Sequence, residues 1–319
     1  MKKKAFITGI SGQDGSFLAE QLLNKGYEVH GLVRNETNFS FIQDQLHLHI
    51  GNAQDGNHIS QLINLIKPDE CYHLASTSFV SYALDAELSI VENNFNSTYH
   101  LLAAIKDHSP HTKLYFAGSS EMFGDVANAP QNESTSLNPR SIYGISKMAG
   151  AMLCRNYRKQ HGLFICNGIL YNHESYRRPM EFVTRKIAHT LAQIACGQAH
   201  ELVLGNLDAK RDWGYAPEYV DAMWRMLNQD EPDDYVIATG QLHTVRSVVK
   251  HAFELVNLDY QHYVKSNEAY YRQDQAIPLQ GDPSKAKQQL GWQAKKDIFS
   301  IIEEMVEFDL QRLKNKEAV

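Results

Sequence analysis

A hydroxyl, a carboxylate, a phenol and an ammonium lie close together in the chain, at Ser119, Glu121, Tyr143 and Lys147. Tyr143 and Lys147 are four positions apart, so on a helix they share one face. An ammonium beside a phenol favours the phenolate and draws its pKa below the roughly 10 of free tyrosine. Such a phenol can serve as the base that takes a proton from an alcohol in a redox step. Tyr-x-x-x-Lys also arises by chance in any long helix, so the surrounding elements must decide.

Those elements are legible. Residues 114–117, Leu-Tyr-Phe-Ala, form a short apolar run that predicts a buried strand emptying into Gly118, Ser119, Ser120 and Glu121. A helix is predicted from about 141 to 161 and closed by Gly162. Along it Ile145, Met148, Ala149, Met152 and Leu153 recur at helical spacing as one apolar stripe. Tyr143 and Lys147 fall on the other side, beside Gly150, Ala151 and Cys154. Two readings of the stripe stand: plain core packing, or one flank covering a sheet while the other meets a second subunit.

At the N-terminus a strand at 4–8 runs into Gly9-Ile10-Ser11-Gly12-Gln13-Asp14-Gly15, followed by a helix bearing Leu18, Leu22 and Leu23 and ending at Gly26. Strand, glycine turn and helix start place backbone N–H groups where a pyrophosphate binds. The second strand, 27–33, is followed by Arg34. An acidic residue there would hold ribose hydroxyls, whereas a cation suits a ribose 2′-phosphate and favours NADP over NAD. Further βα units follow: a strand at 46–50 leading to Asn52 and Ala53, a helix stopped at Pro68, and a strand at 71–75. The last of these opens into Ser76, Thr77 and Ser78. A helix at about 86–106 and a strand at 164–171 complete the pattern. The fold class is α/β, a Rossmann-type doubly wound parallel sheet with a smaller α/β substrate-binding C-terminal domain. Ligands of such sheets bind outside the carboxyl ends of the strands, so 75–78 and 119–121 face the crevice.

After the sixth strand, His173 suits the nicotinamide end of a cofactor. Strand character returns at 201–204 and at 235–238, where the chain rejoins the first sheet, and helices are predicted at 245–255 and 298–314. Domain boundaries are expected at 1–171 plus about 215–240 for the NADP-binding part, and 172–214 plus 241–319 for the rest. Arg177, Arg178, Arg185, Lys186, Lys210, Arg211 and Arg272 fall in apparent loops, where arginines suit a substrate diphosphate through bidentate hydrogen bonds.

Composition bounds the rest. The 319 residues carry a formal charge of −6, which argues against general nucleic-acid or membrane-surface binding. Met1-Lys2-Lys3-Lys4 runs straight into a strand with no signal-peptide core, and no apolar run reaches the length of a membrane span. Cys71, Cys154, Cys166 and Cys196 lack CxxC spacing and are expected as buried reduced thiols of a cytoplasmic protein. No histidine spacing supports a metal site.

Taken together these residues resemble the extended short-chain dehydrogenase/reductases, and within them the GDP-mannose 4,6-dehydratase family, over nearly the whole chain. The resemblance rests on the turn at 8–15, on Ser119-Ser120-Glu121, on Tyr143-x-x-x-Lys147 and on Asn172-His173-Glu174-Ser175. It rests also on residues 182–187, on Gly205-Asn206-Leu207-Asp208-Ala209-Lys210-Arg211-Asp212-Trp213-Gly214 and on Gly281-Asp282-Pro283. The glycine turn and Tyr-x-x-x-Lys mark only the superfamily; the 172–175 and 205–214 blocks mark the family.

The resemblance implies a redox-neutral dehydration of a GDP-sugar that recycles its own NADP. Tyr143, assisted by Ser119 and Lys147, takes the proton of O4. Glu121 removes the C5 proton and then protonates the departing O6, which suits a carboxyl tuned toward neutrality. Gly9, Ile10, Ser11, Gly12, Gln13, Asp14, Arg34, Asn52, Ala53, Leu74, Ala75, Ser76, Thr77, Ser78, Lys147, His173 and Arg178 are implied at the cofactor. Asn172, Val183, Lys186, Gly205, Arg211 and Arg272 are implied at the GDP-sugar. A homodimer through the Tyr143/Lys147 helix is implied, with a tetramer as the larger alternative. The chain departs from the family at Asn35, where a second arginine is usual, at Asn52-Ala53, at Ser119 in place of threonine, and at Arg272-Gln273-Asp274-Gln275. The last change leaves the sugar open between mannose, another hexose and a heptose. A GDP-4-keto-6-deoxymannose reductase and a non-catalytic NADP sensor are the competing readings; the intact residue set speaks against the sensor.

Overall fold

The structure is a computed structural model that describes residues 2–35, 43–77, 84–270 and 277–317. Its centre is a seven-stranded parallel sheet. In chain order the strands and helices of its first half are β1 (Lys4–Thr8), α1 (Gln13–Asn24), β2 (Glu28–Val33), β3 (Leu46–Ile50), α2 (Gly56–Ile66), β4 (Glu70–His73) and α3 (Leu84–His108). Then come β5 (Lys113–Ser119), α4 (Ile142–His161), β6 (Ile165–Leu170), β7 (Asn172–Glu174), α5 (Val183–Ala195), β8 (Leu202–Leu204), β9 (Lys210–Arg211) and β10 (Trp213–Tyr215). The remainder is α6 (Ala216–Leu227), β11 (Asp234–Ile237), β12 (His243–Thr244), α7 (Val245–Glu254), β13 (Val264–Ser266), α8 (Ser284–Leu290) and α9 (Ile298–Glu317).

The sheet order is β11-β6-β5-β4-β1-β2-β3, so the chain winds outward from β1 in both directions. β11 joins β6 in parallel, with Tyr235 opposite Gly168, as the strand character at 235–238 implies. The inner strands are buried on both faces: Leu114 to Gly118 of β5 have no exposed residue, because helices cover each side of a parallel sheet. On one face α1 and α6 build a core of Leu18, Leu22, Val220, Met223 and Met226 over Val29, Tyr115 and Cys166. On the other, α2, α3 and α4 contribute Ile59, Ile63, Leu102, Ile105 and Cys154 over Phe6, Leu114 and Ile169. A third core, centred on Leu191, Leu204, Val248, Phe253 and Ile302, joins α5, α7 and α9 with β8. Around it lie three two-stranded pairs: β7–β10 and β8–β13, both parallel, and β9–β12, antiparallel.

α4 starts where Ser141 accepts from the Gly144 N–H and stops at Gly162, which takes φ 64°. Its inward face is Gly144, Lys147, Gly150, Ala151, Cys154 and Tyr157, not the apolar stripe. A Cβ at Gly150 would sit 2.6 Å from Phe116 Cζ, so only small residues let the helix lie this close to the sheet. One edge of the stripe turns outward, leaving Ile145 and Met152 40% and 42% exposed. Met148 and Leu153 are half-buried and pack against the core beneath α4, so the stripe is divided between core packing and an exposed edge.

Cys71, Cys154 and Cys166 are buried free thiols, but Cys196 is half-exposed at the end of α5, contrary to expectation. Among the described residues no helix is long and apolar enough to cross a membrane, and no acidic, histidine and cysteine cluster could hold a metal.

Candidate active site

The glycine turn is built by close approach. Gly9 takes φ 77°, and a Cβ on it would lie 2.7 Å from the Ala75 nitrogen. A Cβ on Gly15 would lie 2.6 Å from Ile10 Cα. Gly12 donates to the Gly9 carbonyl (3.0 Å) and precedes α1 with no side-chain cap, leaving the first-turn N–H groups without a side-chain partner. The turn is pinned from across the molecule. Gln13 Nε2 donates to the His173 carbonyl (3.1 Å), and Ser175 Oγ donates to Gln13 Oε1 (2.8 Å). Asp14 Oδ2 meets His173 Nε2 at 2.8 Å. Burial disfavours the Asp14 carboxylate, yet His173 and Gln13 outweigh it and hold its pKa below the ordinary value.

Arg34 stands exposed just past β2, and Asn52 and Ala53 follow β3. Leu74, Ala75, Ser76 and Thr77 continue from β4 toward the same sheet edge. Ser76 Oγ and the Thr77 N–H both donate to Asn94 Oδ1, at 3.1 and 2.9 Å. Ser78 and Arg272 lie outside the described residues.

The four chemical groups come together at the ends of β5 and α4. Ser119 closes β5, and its Oγ accepts from the Glu121 N–H (3.2 Å) and bonds the Tyr143 phenol. Glu121 sits in a single 3₁₀ turn, Ser120–Met122. Lys147 Nζ donates to the Ala117 carbonyl (2.8 Å) and lies 5.8 Å from the Tyr143 ring centroid. Burial pulls Lys147 down to about 8, while Asp14 works the other way. Burial pushes Tyr143 up to about 12; Ser119 lowers it, and the Glu121 charge adds to the rise. The expected lowering of Tyr143 by Lys147 is therefore not met, since burial dominates and the ammonium is committed to a backbone carbonyl.

The remaining candidates divide. Arg178 stacks on Phe182 at 3.6 Å, pairs with Glu174 at 3.3 Å and is close enough to lower Tyr143. Lys186, on α5 one turn after Val183, reaches over Tyr270 at 5.1 Å, and a Cβ on Gly205 would lie 2.7 Å from the Tyr270 carbonyl. Asn172 begins β7 and Arg211 ends β9; both are half-buried. Arg185 is not a loop cation. It is buried in α5 and held bidentately by Asp309. Arg177 pairs with Glu20 (2.7 Å) and lies on Phe17 (4.0 Å), bracing α1.

Comparison with known proteins identifies the family. Residues 6–305 match the family model described as GDP-mannose 4,6 dehydratase. The chain belongs to the GDP-mannose 4,6-dehydratase family. It is 42% identical to GDP-mannose 4,6 dehydratase 1 of Arabidopsis thaliana over 335 residues, covering 100% of this chain and 92% of that one. It is 40% identical to the GDP-mannose 4,6 dehydratase of Homo sapiens over 342 residues, covering 97% and 92%. Among solved structures, the fold is similar to dTDP-glucose 4,6-dehydratase from Bacillus anthracis in complex with NAD (TM-score 0.84, 20% identity, 99% and 98% covered). It is similar too to RMD from Pseudomonas aeruginosa complexed with NADPH (TM-score 0.83, 22% identity, 98% and 99% covered).

Sequence reasoning missed the polar lattice behind this GDP-mannose 4,6-dehydratase family site. Asn94, buried in α3, donates to Ser146 Oγ (2.9 Å) and so links the turn after β4 to α4. His73 bridges Thr8 (2.7 Å) and Thr98 (3.1 Å), and burial together with the Lys147 charge brings it down to about 3. The signal for Asn94, Ser97 and Thr98 was a run of polar residues inside an otherwise ordinary helix.

Proposed function

We propose that the protein is a GDP-mannose 4,6-dehydratase, a lyase that removes one water from GDP-mannose to give GDP-4-keto-6-deoxymannose. The observation that carries this reading is the convergence of Ser119, Glu121, Tyr143 and Lys147 at the end of β5, in a chain of that family. A nicotinamide dinucleotide fits the glycine turn, where Gly9 and Gly15 leave no room for a Cβ and α1 lacks a side-chain cap. The chemistry supplied there by a bound nicotinamide would be uptake of a hydride from C4 and its return at C6, which would make the dehydration redox-neutral. The exposed Arg34 supports NADP over NAD, since a guanidinium pairs with a 2′-phosphate.

Burial raises the Tyr143 pKa, and against that rise the Ser119 hydrogen bond and the Arg178 charge favour the phenolate. As that phenolate, Tyr143 Oη takes the O4 proton, with Ser119 Oγ holding the ring in line. Lys147 supplies positive charge on the same helix face. Glu121 takes the C5 proton and then delivers one to the departing O6. His173 and Arg178 bound the cofactor side. Asn172, Val183, Lys186, Gly205 and Arg211 hold the GDP-sugar against the third core, and the family resemblance gives Arg272 a part in the same binding. The seven-stranded layer thus serves the dinucleotide and the α5–α7–α9 layer the sugar nucleotide. Ile145 and Met152 on α4, with Leu88 and Tyr99 on α3 at 66% and 46% exposure, form the face through which we expect a homodimer. A cytoplasmic location agrees with free thiols buried at three of four cysteines.

The test is to mix purified protein with GDP-mannose and catalytic NADP⁺ and follow the sugar nucleotide by mass spectrometry. Loss of one water without net cofactor consumption is the expected result. An unchanged GDP-mannose, or NADPH consumption with a 4-keto sugar instead, overturns the reading. In Glu121→Gln, oxidation at C4 should proceed and elimination stall, so reduced cofactor should accumulate.

A further inference from the structure

Asp212 lies in the block most diagnostic of the family, yet it has no place in the chemistry above. It is 1% exposed. Its carboxylate accepts from the Thr239 N–H (2.9 Å), the Thr239 hydroxyl (2.6 Å), the Gly240 N–H (2.9 Å) and the Gly281 N–H (3.2 Å). A carboxylate offers about four acceptor positions, so none remains for a ligand. Burial raises its pKa and the surrounding donors act against that rise. The two segments it gathers are shaped to reach it: Gly240 takes φ 76°, and a Cβ on Gly281 would lie 2.9 Å from the Tyr171 ring.

Its chain neighbours are the ones that matter for binding. On one side Arg211 pairs with His243 in β9–β12. On the other, Trp213 pairs with Asn172 and Gly214 with His173 in β7–β10. Gln131 secures the same segment from the opposite direction. It is fully buried, its Oε1 accepts from the Tyr171 hydroxyl (2.8 Å) and the Gln280 N–H (2.9 Å), and its backbone exchanges bonds with Gln280 and Asp282.

We propose that Asp212 is a positioning residue for the GDP-sugar, fixing Arg211 and Asn172 relative to the 239–240 and 280–282 segments without touching the ligand. This rests on the reading under Proposed function, in which Arg211 and Asn172 hold that ligand. A displacement of about an ångström at such a residue is enough to lose on the order of a hundredfold in binding or rate.

The experiment compares wild type with Asp212→Asn, whose amide must turn N–H donors toward N–H donors. GDP alone is titrated calorimetrically, NADP⁺ is titrated in parallel, and kcat and KM are measured with GDP-mannose. The expected result is a loss of GDP affinity of about tenfold or more and a matching rise in KM, with NADP⁺ affinity held and kcat changed less. Wild-type GDP affinity in Asp212→Asn overturns the proposal, as does a parallel loss of both ligands, which marks a merely structural role. Should Asp212→Asn not fold, Thr239→Val removes one of the donors. GDP affinity lowered about threefold with NADP⁺ affinity unchanged then supports the proposal, and an unchanged GDP affinity overturns it. A wild-type protein that does not bind GDP would instead remove the functional reading on which the proposal stands.

Discussion

Replacing Lys147 by methionine should abolish turnover while relieving a stability cost that depends on pH. The side chain is 5% exposed, and burial lowers its pKa from the ordinary 10.5 to about 8. At 1.36 kcal/mol per unit, that gap corresponds to about 3 kcal/mol of penalty for keeping the ammonium inside the fold. Below pH 8 the lysine is protonated in both folded and unfolded chains, and the full penalty applies. Between 8 and 10.5 the unfolded chain binds more protons, so this group's contribution to stability rises with pH. Above 10.5 the penalty is gone. Methionine fills similar volume without charge but forfeits the bond to the Ala117 carbonyl, which costs roughly 1–3 kcal/mol. At pH 7 the ligand-free variant should therefore match wild type or exceed it by up to about 2 kcal/mol. By pH 10 the balance should move toward wild type by about 2–3 kcal/mol. Urea unfolding of both proteins at half-unit steps from pH 7 to 10 reads this directly, because other titrating groups cancel in the difference. A wild-type-minus-variant difference that stays flat across that range refutes burial of a charged Lys147.

Three further outcomes are expected. Gly15→Ala would drive a Cβ into the backbone of Gly9 and Ile10, so the turn must open; stability should fall by about 1–3 kcal/mol. Dinucleotide affinity should also fall by about tenfold or more, and an unchanged fluorescence titration would contradict the cradle. Arg185→Met leaves Asp309 buried without its guanidinium and should cost about 3–5 kcal/mol by chemical denaturation. The double variant Arg185→Met/Asp309→Leu should recover most of that loss; equal stability of the single variant and wild type would show the pair to be inert. On the proposed interface, wild type is expected to sediment as a dimer and Ile145→Glu with Met152→Glu as a monomer at the same concentration; dimers of the variant would move the interface elsewhere.

Much of this architecture can be read from residues alone because its signals are local. The strand before Gly9, the periodicity of α1 and the Tyr143/Lys147 spacing each need only a dozen neighbouring positions. The features that escaped depend on distant partners. Hydropathy left the Ile145–Met152 stripe open between core packing and a subunit face, whereas the steric demand at Gly150 and Phe116 put the small residues against the sheet. Arg185 looked free because Asp309, its partner, sits near the other end of the chain. The acidity of Tyr143 could not be read from Lys147 alone, since burial outweighs a neighbour's charge. Asn94 and Asp212 act only through bonds to segments far away in sequence.

The placement of β11 at the flank of the sheet, beside β6, bears on how the chain is made. A ribosome delivers β1 to β6 first, and then β7 to β10 with α5 and α6, before residues 234–237 emerge. At roughly 5–20 residues per second, β6 remains an unpaired edge on the order of several seconds. During that interval α6, which brings Met223 and Met226 onto Tyr115 and Cys166, is only arriving. Nascent chains of this length expose a long apolar strand edge, the form of surface that captures other chains or recruits holding chaperones. Any truncation or split version of the protein should accordingly be cut beyond residue 237, not at the end of β6.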